Sequence, residues 1–109
     1  MKGYWDVSLT KEADKDYNSL DASVRRQVDK AILKVAKNPL TKAEGGYGEP
    51  LGNKHGFNLT GLSKIVLKKL GIRIIYRAIR DGEIMRIIVV AARADEEAYE
   101  IAAARIVEE

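Results

Sequence analysis

Residues 63–93 read SKIVLKKLGIRIIYRAIRDGEIMRIIVVAAR, and this stretch decides the fold. Ser63 to Lys69 alternates, with Lys64, Val66 and Lys68 on one face and Ile65, Leu67 and Lys69 on the other, as successive strand side chains must. Gly71 turns the chain. Ile72 to Ile79 is dense in β-branched and aromatic residues, which suit a pleated, half-buried surface. Asp81-Gly82 has the chemistry of a hairpin turn. Glu83 to Arg93 is almost wholly apolar between its ends, so it belongs centrally in the sheet with much of both faces covered. Three strands joined by turns make an antiparallel meander.

Upstream, Tyr4 to Leu9 reads as a further strand. Thr10 is a helix N-cap with Glu12 in the first turn, and Ala13, Tyr17 and Leu20 recur at helical spacing. Asp21 is placed to cap a second helix, whose stripe is Val24, Val28, Ala31, Ile32, Val35 and Ala36. Asn38-Pro39 stops it. These two helices form an antiparallel hairpin. Downstream, Asp95 caps a last helix that packs Ala98, Ile101, Ala102 and Ile106 inward. Between the hairpin and the meander, residues 40–61 hold six of the nine glycines and Pro50. They read either as a long functional loop or as a connector hiding a short strand.

The expected fold class is α+β in a single domain over residues 1–109. An N-terminal strand and a two-helix hairpin precede the antiparallel three-strand meander, giving a four-stranded sheet, and a C-terminal helix follows. The helices cover one face and leave the other open.

Charge is distributed unevenly along this order. The chain carries 19 Lys/Arg against 16 Asp/Glu, a formal net charge of +3. Residues 51–93 nevertheless hold nine basic side chains (Lys54, Lys64, Lys68, Lys69, Arg73, Arg77, Arg80, Arg86 and Arg93) and only two acids, Asp81 and Glu83. Such a local excess suits a polyanionic partner. The absence of cysteine removes disulfides and thiolate nucleophiles and fits a reducing cytoplasm. The Met1-to-Asp6 start lacks a signal-peptide core, and the run Ile87 to Ala92 is too short to span a bilayer, so no membrane partner is expected.

Most enzyme chemistries are excluded. One histidine and no cysteine make no zinc constellation, and no cofactor is expected. No phosphate-binding or dinucleotide glycine motif occurs, and no nucleophile elbow. The acids lie mainly near helix starts, where the helix dipole accounts for them. What remains is a cationic surface with tyrosines. Cleavage of RNA through its own 2′-hydroxyl needs a base, cations around the phosphorane and a proton for the leaving oxygen. Lysine serves as the base only where neighbouring cations lower its pKa.

The chain also resembles the RelE/ParE superfamily of bacterial and archaeal type II toxins, nearly end to end. The likeness runs through Val7-Ser8-Leu9-Thr10-Lys11-Glu12-Ala13, Leu20-Asp21-Ala22-Ser23-Val24-Arg25 and Lys37-Asn38-Pro39-Leu40. It continues through Leu59-Thr60-Gly61-Leu62-Ser63-Lys64-Ile65, Gly71-Ile72-Arg73-Ile74-Ile75-Tyr76, Arg93, Tyr99 and Ala103-Ala104-Arg105-Ile106. The mRNA-cleaving RelE branch is the nearer likeness. It implies a metal-independent endoribonuclease that cuts mRNA in the A site of the 70S ribosome, contacts ribosomal RNA, and is neutralised in an oligomer with a cognate antitoxin protein.

The resemblance also implies roles. Arg73 matches the arginine that holds the scissile phosphate. Arg93 matches the one assigned to the leaving group or to charge stabilisation. Tyr99 matches a tyrosine that stacks on or positions the nucleotide, and Lys64 matches one of two strand lysines. The second lysine is Val66 here, which leaves Lys68 as a substitute. Lys54 and His55 are further candidates. Lys54, His55, Lys69, Arg77 and Arg86 are the expected RNA contacts, and Tyr76 is expected in the core. Two other functions are compatible with the resemblance: gyrase inhibition of the ParE kind, or a degenerate relative that binds only nucleic acid or its antitoxin.

Overall fold

A computed structural model describes residues 3–54 and 56–108. Strand β1 (Asp6–Leu9) leads into helices α1 (Lys11–Asn18) and α2 (Ala22–Ala36) and a 3₁₀ turn at Lys42–Glu44. Strands β2 (Glu49–Lys54), β3 (Phe57–Leu67), β4 (Ile72–Ile79) and β5 (Ile84–Ala91) follow, and helix α3 (Asp95–Glu108) ends the chain. The sheet order is β1-β5-β4-β3-β2. The meander β3-β4-β5 is antiparallel as expected, and β1 joins β5 in parallel.

Two expectations are corrected. The sheet has five strands among the described residues, not four, because the glycine-rich stretch contains β2. Its Pro50 and Gly52 interrupt any alternation, and they flank a register shift against β3. They suit the irregular edge strand that β2 is. β3 also starts at Phe57, six residues earlier than Ser63.

The second correction concerns layers. Helices cover both faces. On one, Ala13 of α1 and Val28, Ile32, Val35 and Ala36 of α2 pack on Ile72, Ile74, Tyr76, Met85, Ile87 and Val90. On the other, Ala98, Tyr99 and Ala102 of α3 pack on Leu51, Leu59, Leu62, Ile75, Ile88, Val89 and Ala91. Each large side chain so buried stabilises the fold by roughly 1.5–3 kcal/mol. Strand β5 serves both cores, which explains its unbroken apolar run.

The caps divide. Thr10 accepts from the Ala13 amide at 3.1 Å, as its position before α1 predicts. Asp21 stands at the N-cap of α2 without a side-chain cap bond. Asp95 is the first residue of α3, and its carboxylate is turned to β4 instead. The β4–β5 connection takes four residues, 80–83, with Gly82 and Glu83 both at positive φ. Tyr76 is fully buried, as expected, and its hydroxyl donates to Pro39 O at 2.8 Å.

Candidate active site

The strand registers place the site. Lys64 lies opposite Ile75, and Val66 opposite Arg73, so Lys64, Val66 and Arg73 share the face that α3 packs on. Glu49 of the edge strand lies opposite Lys64 on its other side. Arg73 is also paired with Ala91, where β5 ends, and four residues later Asp95 opens α3. These residues line a cleft of about 690 Å³ together with Lys42 and Lys68.

Within it, Arg73 Nε donates to Asp95 Oδ1 at 2.8 Å. Lys64 Nζ lies 3.7 Å from Asp95 Oδ2 and donates to the Tyr99 hydroxyl at 2.8 Å. Only 14% of the Lys64 side chain is exposed. Burial by itself lowers the Lys64 pKa, but the Tyr99 hydroxyl and the Asp95 and Glu49 carboxylates outweigh it, and the net shift is upward. The cleft thus holds Lys64 as an ammonium. A lysine base activated by packed cations requires the opposite shift.

The sequence candidates separate into three places. Lys64, Lys68 and Arg73 come together in the cleft, with Val66 in its wall. Lys68 lies just past the end of β3, exposed in the turn that also holds Lys69, so it is not on the strand face expected for it. Tyr99 is 2% exposed and its ring belongs to the α3 core, so only its hydroxyl reaches the site. In this conformation the ring is buried against the sheet and the hydroxyl accepts from Lys64 Nζ.

Arg93 is outside the cleft lining. It sits in the β5–α3 connection, 62% exposed, and lies 3.7 Å from Glu97. Arg77 and Arg86 face each other on β4 and β5, half-buried, and Arg86 also reaches Ser8 Oγ at 3.2 Å. Lys54 ends β2, five residues and roughly 16 Å along the strand from Glu49. His55 lies outside the described residues.

Asp95 is the residue that sequence reasoning missed. An acid in the first turn of a helix has an ordinary explanation in the helix dipole. Only the pairing of Arg73 with Ala91 brings that turn over the cations.

No family model and no curated protein matches the chain. Solved structures do. A doubly substituted form of the E. coli toxin RelE in its free state superposes with a TM-score of 0.72 at 25% identity, covering 94% of this chain and 98% of that one. The intact E. coli RelBE toxin–antitoxin complex matches at 0.62 and 23%, covering 83% and 98%. The toxin–antitoxin complex RelBE2 of Mycobacterium tuberculosis matches at 0.65 and 22%, covering 87% and 98%. The order of elements, the five-stranded sheet and the position of the last helix therefore make this a RelE-like toxin fold.

Proposed function

We propose that the chain is the toxin of a type II toxin–antitoxin pair, a ribosome-dependent endoribonuclease that cleaves mRNA in the ribosomal A site and so inhibits translation. The observation that carries this reading is the cleft in which Arg73 and Lys64 converge beside the start of α3, on a fold similar to RelE toxins. The guanidinium of Arg73 is suited to clamp a phosphate through two parallel hydrogen bonds. The Lys64 ammonium adds charge where the phosphorane is most negative. Attack by the 2′-hydroxyl then needs no metal in principle.

Lys54, Lys68, Lys69, Arg77 and Arg86 supply docking charge for ribosomal RNA, with His55 a further candidate. Association through them weakens steeply with salt. Arg93 serves the leaving group only after its side chain leaves Glu97. The solved complexes of similar toxins with RelB antitoxins support an antitoxin partner here, acidic or amphipathic to match this surface. The proposed setting is the cytoplasm; among the described residues no helix is long and apolar enough to cross a membrane.

The test is a cell-free translation reaction with the protein added and mRNA 5′ ends mapped. New ends within translated codons support the reading. No new ends overturns it, and supercoiling defects on plasmid DNA in their place point to gyrase.

A further inference from the structure

We infer that the general base of this site is the Asp95 carboxylate. The inference rests on the nuclease reading and deepens it.

The cleft offers few groups that accept a proton. Val66 has none. Lys64 is held by Tyr99 at 2.8 Å and faces Asp95 at 3.7 Å, an environment that keeps its proton in place. Arginine is a poor base at any accessible pH. Among the described lining residues that leaves Asp95, Glu49 and the exposed Lys42 and Lys68. Lys42 opens the 3₁₀ turn and Lys68 sits in the turn past β3, both exposed to solvent, while Glu49 lies on the exposed edge strand with no hydrogen bond to the phosphate clamp.

Asp95 is different because of what anchors it. Arg73 engages it through Nε. The planar guanidinium keeps its terminal nitrogens for two oxygens of a phosphate, which then lies beside the carboxylate. The 2′-hydroxyl of the preceding ribose is then within reach of Oδ2. Half of the geometry is fixed before substrate arrives, because Oδ1 is already bound.

The step balances without further reactants. Asp95 takes the proton of the 2′-hydroxyl, and the 2′-oxygen attacks phosphorus. The P–O2′ bond forms and the P–O5′ bond breaks, leaving a 2′,3′-cyclic phosphate. The departing 5′-oxygen takes a proton from water, and Asp95 returns its proton to solvent. Arg73 and Lys64 stay charged throughout.

The test compares single-turnover cleavage of ribosome-bound mRNA by wild type, Asp95→Asn, Asp95→Glu and Glu49→Gln. Asparagine keeps an acceptor for Arg73 Nε but takes no proton at neutral pH, so it separates positioning from proton transfer. Asp95→Asn should lose roughly 10²–10⁴-fold in rate, the usual share of a general base. Its binding to ribosomes should be unchanged or tighter. Asp95→Glu should recover part of the loss, and Glu49→Gln should lose less than Asp95→Asn. The wild-type rate should rise with pH along an acid limb that Asp95→Asn lacks. Arg73 from β4 and Lys64 from β3 lie against Asp95, and Glu49 from β2, Lys42 from the 3₁₀ turn and Lys68 from the turn past β3 line the same cleft; none is altered in that variant.

Equal cleavage by Asp95→Asn and wild type would overturn the assignment and leave the nuclease reading standing. Faster cleavage would overturn it too, marking Asp95 as an occupant that substrate must displace. Loss confined to Glu49→Gln would move the base to β2. No cleavage by wild type would overturn both the assignment and the nuclease reading.

Discussion

Asp16 and Arg105, 89 residues apart, form a two-pronged ion pair at 2.7 and 3.1 Å that joins the first helix to the last across the end of β5. The pair replaces a missing strand. β1 pairs with β5 only as far as Leu9 and Ile87. Beyond that, Arg105 donates to Ile88 O at 2.8 Å, and Asp16 accepts from the Val90 amide at 3.0 Å. Ile88 is also the extra residue of a β-bulge, since Ile75 and Tyr76 pair with Val89 and Ile87.

Removing either partner strands a partly buried charge and leaves a backbone group of β5 unpaired. Asp16→Ala and Arg105→Ala should each cost about 3 kcal/mol. Urea denaturation measures this. The double variant should cost clearly less than the two losses added, because the groups act as one network. Strict additivity would show that they do not.

The Lys64–Tyr99 bond predicts a pH effect with a definite sign. The folded state raises the Lys64 pKa, so the stabilisation is fully present at neutral pH and below the unfolded value of about 10.4. It is lost as pH rises through the higher folded value. Tyr99→Phe keeps the buried ring but removes the acceptor, at about 1 kcal/mol. NMR titration of the Lys64 ammonium should show its pKa falling in that variant, since burial then acts with less opposition.

Tyr76 should titrate late. Burial pushes its hydroxyl up to about 12. Ultraviolet absorbance of phenolate should show a late component that is lost in Tyr76→Phe, and wild-type stability should fall between the ordinary tyrosine range near 10 and that value.

The same hydroxyl closes a tight corner. A Cβ added at Gly48 would lie 2.6 Å from the Tyr76 hydroxyl and 2.8 Å from Pro39 O. Gly48→Ala should cost about 1–3 kcal/mol. Adding Tyr76→Phe should restore only part of it, because the Pro39 carbonyl remains in the way. Thermal melts of both variants check this.

Much of this arrangement was legible in the sequence. The meander could be read because β-branched runs and turn residues coincide, and α2 because its stripe follows a 3.6-residue period up to Asn38-Pro39. Strand β2 could not, because its ladder with β3 breaks at Pro50 and Gly52, where no alternation survives. The placement of α3 on the opposite face from α1 and α2 was hidden for another reason. Both β4 faces are apolar apart from Arg73 and Arg77, so nothing local says which helix covers which side.

The site was half legible. Arg73 and Lys64 stood out by charge and by resemblance, and the registers unite them. Tyr99 was visible as a residue but not its burial, which depends on how α3 docks. Asp95 was masked by a conventional place in a helix's first turn, since its contact with Arg73 spans 22 residues of sequence.

Mapping mRNA 5′ ends in a translating extract with wild type, Arg73→Ala and Arg93→Ala tests the central claim most directly. Wild type should cut within translated codons, and Arg73→Ala should lose roughly 10²–10³-fold, as for removal of a preorganised charge donor. The exposed Arg93, outside the cleft lining, should matter less. An absence of cuts by wild type, or cuts undiminished in Arg73→Ala, would contradict it.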